Sequence, residues 1–155
     1  MIAVDIAEWV RPDVVCDVRA LPIARTCFDF IWASEPCTQY SRLAQPGLFP
    51  NEPAPDLSIA YAIRDIIAHL GPRRWVVENV HGARPYYKNI FGQVRAMVPG
   101  HAFWGSGFLY PNTKPHKLNV GEQVREEIRK MKRAIIPPEI PDAIIAQLGG
   151  LYDNG

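Results

Sequence analysis

The first third of the chain alternates short apolar runs with polar turns. Residues 2–6, 13–18 and 28–33 form three such runs, rich in Val, Ile and Phe, and only short connections separate them. Runs of this length and composition predict β-strands. Because the apolar residues are nearly continuous within each run, we expect these strands to be buried on both faces of a sheet.

The pattern then changes to a long loop followed by a helix. Residues 34–55 are polar and rich in proline, which predicts a loop, and loops of this length often carry function. Asp56 is expected to cap a helix that ends before Gly71 and Pro72. Its apolar positions recur at helical spacing: Ile59, Ile63, Ile66, Ile67 and Leu70.

A further buried strand is predicted at residues 74–79, with the sequence RWVVEN. Together with the strand at 28–33 and the helix between them it predicts a βαβ crossover. Both strands then end at the same edge of a parallel sheet, which is where α/β folds bind ligands. The remaining chain predicts an irregular stretch at 82–100, a strand at 102–110 broken by glycines, and helices at about 122–133 and 137–148. The length of 155 residues favours one domain, over residues 1–155.

Composition and charge argue against a membrane protein and a zinc protein, but they do not select one function. The net charge is +1, so binding of nucleic acid would need a local basic surface. No apolar run is long enough to span a membrane, and we expect a soluble cytoplasmic protein. Cys16, Cys27 and Cys37 form no C-x-x-C pair, which argues for free thiols and against a zinc site. Cys16 and Cys27 are expected in the core. The histidines show no spacing typical of metal ligands and are interpreted as surface or loop residues; they are His69, His81, His101 and His116.

The residues that predict chemistry lie at the ends of the two strands of the crossover. Residues 34–41 read SEPCTQYS, so Cys37 follows the first of these strands, and Glu78-Asn79-Val80 ends the second. The crossover would make them neighbours despite the sequence separation between them. A thiol and a carboxyl are therefore expected to face one pocket.

Pro36-Cys37 after a strand, a Tyr-Ser pair three residues on, and Glu-Asn-Val at the end of the next strand resemble the DNA cytosine-5 methyltransferases, in particular their small phage-type members. The resemblance is strongest over residues 28–80. It implies a Rossmann-like class I methyltransferase sheet of the α/β class. It also implies double-stranded DNA as partner, S-adenosylmethionine as cofactor, and no separate target recognition domain.

The resemblance also implies a role for each matching residue. Cys37 would add to C6 of a flipped cytosine, and Glu78 would hydrogen-bond or protonate its N3. Three residues would contact or shape the DNA site: Pro36, Ser41 and Asn79. On the cofactor side, Asp5 would bind the ribose hydroxyls, and Asp17-Val18 would contact the adenine.

Some features of the family pattern are absent. No Phe-x-Gly-x-Gly turn precedes residue 2, so the sheet is expected to lack its first, central strand and one helix. Glu35 stands where the family usually has proline, and its charge would disfavour the Cys37 thiolate. Only Gln93-Val94-Arg95 matches a later Gln-x-Arg-x-Arg pattern, with Met97 in the last place. Two alternatives therefore stay open: a catalytically inactive protein that binds DNA or a partner, and one half of a split enzyme whose sheet a second chain or a homo-oligomer completes.

Overall fold

The computed structural model describes residues 2–22, 24, 28–40, 54–98 and 100–106. This part contains six strands, two α-helices and several single 3-10 turns. The strands are β1 (Val4–Asp5), β2 (Val14–Val15), β3 (Phe30–Ser34), β4 (Arg74–Val80), β5 (Ala96–Val98) and β6 (His101–Gly105), and the helices are α1 (Ser58–Leu70) and α2 (Arg84–Phe91).

A mixed four-stranded sheet in the order β3-β4-β6-β5 forms the centre of the fold. β3 and β4 are parallel, and α1 connects them, so the predicted crossover is confirmed. β6 runs antiparallel to both of its neighbours, β4 and β5. The α/β class predicted from the sequence is therefore present in the described residues.

The N-cap residue of α1 is Leu57 and not the predicted Asp56, but Asp56 still accepts from a backbone donor of the first turn. The Asp56 carboxylate accepts a hydrogen bond from the Ser58 backbone N–H at 2.8 Å, which satisfies one of the free donors of the first turn. Gly71 follows the last turn with φ of 57°, and its N–H donates to the Ile67 carbonyl at 3.0 Å. The left-handed conformation is open to glycine without steric cost, so the sequence signal for the helix end was correct.

Alternation along the central strands divides the core between the two faces of the sheet. Val77 and Trp104 pack on the face covered by α1 and α2, together with Tyr87. Val76 and Phe103 pack on the opposite face with Val98. Since β4 and β6 carry buried side chains on both faces, they are the central strands of the sheet.

β1 and β2 form a separate two-stranded parallel sheet. Ile2, Ile6 and Val15 are between 52% and 69% exposed, so the prediction that these runs are buried on both faces is wrong. Each strand pairs over only two residues, and within the described chain no strand joins this small sheet to the larger one. The apolar side chains therefore lack a second layer to pack against.

Two further predictions are corrected by the structure. Residues 82–100 are not irregular, because they contain α2 and β5. Pro85 lies in the first turn of α2, where proline fits a helix because its missing N–H is not needed there. Cys16 is half-buried just beyond β2 rather than in the core.

Cys27, residues 107–110 and the predicted helices at 122–133 and 137–148 lie outside the described residues. Neither described helix is long and apolar enough to cross a membrane.

Candidate active site

The parallel pairing of β3 and β4 brings the two predicted chemical segments to one edge of the sheet. Ser34, the last residue of β3, lies opposite Glu78 in β4. Cys37 follows three residues later, is exposed, and its carbonyl accepts a hydrogen bond from the Tyr40 N–H at 3.0 Å. The turn at 38–40 contacts the turn at 81–83 that follows β4. The cysteine segment and the carboxyl-bearing strand end are therefore adjacent.

The Glu78 carboxyl is only 5% exposed and has a partner at each oxygen. The Ser34 hydroxyl donates to Oε2 at 2.6 Å, and Nδ1 of His101 lies 2.6 Å from Oε1. Ser34 is exposed at the sheet edge, whereas His101 is 3% exposed. The two oxygens thus have different surroundings: Oε2 is on the side of the open edge, and Oε1 is on the side of the interior.

His101 was not predicted as part of the site, and its interpretation as a surface or loop residue is wrong. It lies in β6 opposite Val80, while Glu78 lies opposite Phe103. Side chains two residues apart share one face of a strand, so His101 and Glu78 are diagonal neighbours across the antiparallel pair. Only the register of β6 places them together, and the sequence alone does not specify that register.

The Asn79 side chain is buried and connects three segments around the site. Its Nδ2 donates to the Tyr87 hydroxyl at 3.0 Å and to the Glu35 carbonyl at 3.5 Å, and its Oδ1 accepts from the Val80 N–H at 2.8 Å. These bonds hold the segment after β3 against α2. A contact of Asn79 with DNA stays a prediction, and in this structure its amide serves the architecture of the edge.

Glu35 is buried beside the cysteine segment, and this changes its expected effect on the thiol. Burial is the main reason that the pKa of the Glu35 carboxyl is raised to about 7; the hydrogen bond from the Tyr40 hydroxyl, at 3.1 Å, opposes the shift, and the charge of Asp56 adds a smaller contribution to it. Burial also raises the pKa of Tyr40. Near neutral pH, Glu35 is therefore partly uncharged, so its repulsion of the Cys37 thiolate is weaker than the sequence predicted.

The residues predicted to bind the cofactor lie on the small sheet. Asp5 ends β1, and its Oδ1 accepts from the Ala7 N–H at 2.7 Å. Asp17 follows β2, and Arg19 binds both of its carboxylate oxygens; this pairing lowers the pKa of Asp17 to about 2. Val18 packs against the core cluster of α1 and α2. The parallel register of β1 and β2 puts the two carboxylates at one edge of the small sheet.

The other residues of the family pattern are Pro36, Ser41 and the motif at residues 93–97. Pro36 is exposed directly before Cys37, and Ser41 lies outside the described residues. The Arg95 N–H donates to the Phe103 carbonyl at 2.8 Å, and Met97 is 54% exposed. Among the described residues, no hydrogen bond joins the side chain of Gln93 or Arg95 to Glu78 or Cys37.

An open groove of about 740 Å³ lies beside the turn that follows β4. It is lined by residues of that turn, of α2 and of β6, among them His81, Arg84, Lys88, Gln93 and Trp104. Arg84 and Lys88 are four residues apart on α2 and therefore lie on the same side of the helix. The sequence analysis missed this pair because it did not predict α2.

Among the described residues, no three side chains are arranged to hold a metal ion. Comparison of the chain with family models, with curated proteins and with solved structures found no match.

Proposed function

We propose that this chain is a DNA cytosine-5 methyltransferase domain that forms a covalent adduct with cytosine through Cys37. The observation that carries the proposal is the in-register pairing of Ser34 with Glu78 at the ends of two parallel strands, three residues before an exposed cysteine. A thiol and a buried carboxyl thus share the sheet edge at which α/β folds bind ligands.

The two side chains have complementary roles on one base. The Cys37 thiolate adds to C6, and electron density moves to C5. Glu78 donates a proton to N3, which prevents negative charge from building up on the ring. The base must leave the helix to reach the edge, so DNA is expected to present it flipped out.

The arrangement of the described strands supports a methyltransferase sheet whose first strand is not among them. A classic doubly wound sheet has the order 3-2-1-4-5-6. If strand 1 is left out of this order, strands 3 and 2 form a separate parallel pair. Strands 4, 5 and 6 form a larger block, which begins with two parallel strands. The pair β1-β2 and the block that begins β3-β4 follow this division, and the antiparallel strands β6 and β5 end the block.

The described residues fit only part of the cofactor. When bound, S-adenosylmethionine supplies the methyl group. Asp5 is placed at a strand end where it can accept from ribose hydroxyls, but Arg19 already binds both oxygens of Asp17. No glycine turn lies next to these residues in the described chain to approach the methionine part. The chemistry derived from the described residues is therefore the addition at C6 and the proton donation at N3.

A second candidate is one half of a split methyltransferase. Ile2 and Ile6, next to β1, and Trp9, in the turn after β1, are exposed, Trp9 at 84%. A second chain would cover these apolar side chains. If so, this chain alone binds DNA, and its partner completes the cofactor site.

Covalent trapping tests the proposed function. Fluorine at C5 cannot leave as the proton does, so duplex DNA with 5-fluorocytosine should remain bound to Cys37 after methyl transfer. We expect a denaturation-resistant complex with S-adenosylmethionine present, and none with Cys37→Ala. Cys16→Ala is the matched control and should keep the complex. If the wild-type chain forms no complex with duplexes of varied sequence, either alone or with a partner, the proposal is wrong.

The groove beside the site predicts where the DNA backbone lies. Replacing both Arg84 and Lys88 by Glu should remove about two phosphate contacts and reduce the slope of log Kd against log salt by roughly 2. Arg64→Glu is the matched control, since Arg64 is exposed on α1 and ion-paired with Asp65. Fluorescence anisotropy over a salt series measures both. An unchanged slope in the double variant would place the DNA elsewhere.

A further inference from the structure

The two oxygens of the Glu78 carboxyl are not equivalent, and His101 is the reason. Oε2 is bonded to Ser34 at the exposed end of β3, and Oε1 is bonded to Nδ1 of the buried His101. The backbone on which His101 lies is also fixed, because Nε2 of His81 is 2.9 Å from the His101 carbonyl oxygen and 3.0 Å from that of Val98. The imidazole therefore approaches one oxygen only.

The surroundings of the ring select one tautomer of His101. Its Nε2 is buried and has no hydrogen-bond partner among the described residues. A buried N–H without an acceptor is costly and rare in native proteins, whereas a lone pair is left unpaired more cheaply. The proton of the neutral ring is therefore expected on Nδ1, from which it is donated to Glu78 Oε1 at 2.6 Å.

We propose that His101 is a positioning residue that keeps the acidic proton of Glu78 on Oε2, the oxygen nearest the open edge. The inference rests on the proposed function, in which Glu78 is the acid for N3. While the Nδ1–H of His101 is donated to Oε1, a neutral carboxyl must carry its own hydrogen on Oε2. The Ser34 hydroxyl donates to the remaining acceptor position of the same oxygen.

The proton then moves in one step. The Oε2–H bond breaks, the N3–H bond forms, and the electron pair of the broken bond stays on the carboxylate. His101 keeps its Nδ1 proton. Its hydrogen bond to Oε1 becomes charge-assisted as the carboxylate forms, which favours the product of the transfer over the starting state. His101 thus acts through Glu78 and does not touch the base.

The tautomer is measured directly on the wild-type protein. Protonated and unprotonated imidazole nitrogens have well-separated ¹⁵N chemical shifts, so a proton–nitrogen correlation spectrum of ¹⁵N-histidine protein assigns each ring. We expect His101 to carry its proton on Nδ1, and the signal to be missing in His101→Asn. A proton on Nε2 with Nδ1 bare would overturn the inference, whatever the activity of the protein.

Two variants separate a hydrogen-bond role from packing. Asn at position 101 places an amide N–H near the position of Nδ1, whereas Leu fills the space without a donor. His101→Asn should form the trapped DNA complex within about fivefold of the wild-type rate, and His101→Leu should be roughly 30- to 100-fold slower. His69→Asn, on the exposed side of α1, is the control for the substitution itself.

The failures of the two proposals are distinguishable. If His101→Asn and His101→Leu are equally slow, or both as fast as wild type, His101 does not position the proton, while the wild-type complex still supports the proposed function. If the wild-type chain forms no complex, the proposed function fails, and the nitrogen shifts of His101 alone decide whether its proton lies on Nδ1.

Discussion

Glu78→Gln should slow formation of the trapped DNA complex by 100-fold or more. The amide keeps the size of the side chain, accepts from His101 and donates to Ser34, so both hydrogen bonds at 2.6 Å have a counterpart in the variant. It has no acidic proton for N3. Loss of a general acid costs typically 10² to 10⁴ in rate, or about 3 to 5 kcal/mol of transition-state stabilisation.

The comparison of Glu78→Gln with wild type requires a measurement of folding as well as of the rate of complex formation. The trapped complex is quantified over time with enzyme in excess over DNA, and the melting temperature of each variant is recorded. Glu8→Gln, in the exposed turn after β1, is the matched control and should behave as wild type. If folded Glu78→Gln protein forms the trapped complex within about fivefold of the wild-type rate, Glu78 is not the acid that protonates N3.

Glu35 should make the protein less stable as the pH rises. In the unfolded chain this carboxyl loses its proton near its ordinary pKa of 4.5, whereas the folded protein holds it up to about 7. The stabilisation is therefore complete below pH 4.5 and is lost as the pH rises through 7. A difference of this size between the two states corresponds to about 2 to 3 kcal/mol between pH 5 and pH 8.

Urea unfolding at pH 5 and pH 8 measures this effect. The free energy of unfolding of Glu35→Gln should fall less over this range than that of wild type, by about 2 kcal/mol, because the amide keeps an acceptor for Tyr40 and does not ionise. Glu8→Gln should follow wild type. Equal pH dependence in Glu35→Gln and wild type would mean that Glu35 is charged in the folded protein at neutral pH, which would restore its repulsion of the Cys37 thiolate.

The crossover was predictable from the sequence because its signals are local. The helical spacing of Ile59, Ile63 and Ile67 lies within α1, and Asp56 and Gly71 lie within two residues of its ends. The parallel pairing that a crossover imposes brings Ser34, at the end of β3, opposite Glu78, whereas a pocket shared by the Cys37 thiol and the Glu78 carboxyl stays a prediction.

The parts of the fold and of the site that were not predicted depend on pairing between residues far apart in the sequence, which local patterns do not encode. The antiparallel register of β6 brings His101 to Glu78, and a shift by one residue would turn its side chain to the other face. Glu35 is buried, and its backbone carbonyl accepts from the Asn79 amide of β4, a contact over 44 residues that no local pattern predicts.

The position of the covalent bond tests the central claim most directly. Wild-type protein is trapped on a 5-fluorocytosine duplex with S-adenosylmethionine and digested with protease and nuclease, and tandem mass spectrometry then locates the nucleotide. The proposed chemistry predicts the modification on Cys37, in the peptide that contains Ser34-Glu35-Pro36. A nucleotide on Cys16 or Cys27, or none on any cysteine, would contradict the assignment of Cys37 as the nucleophile.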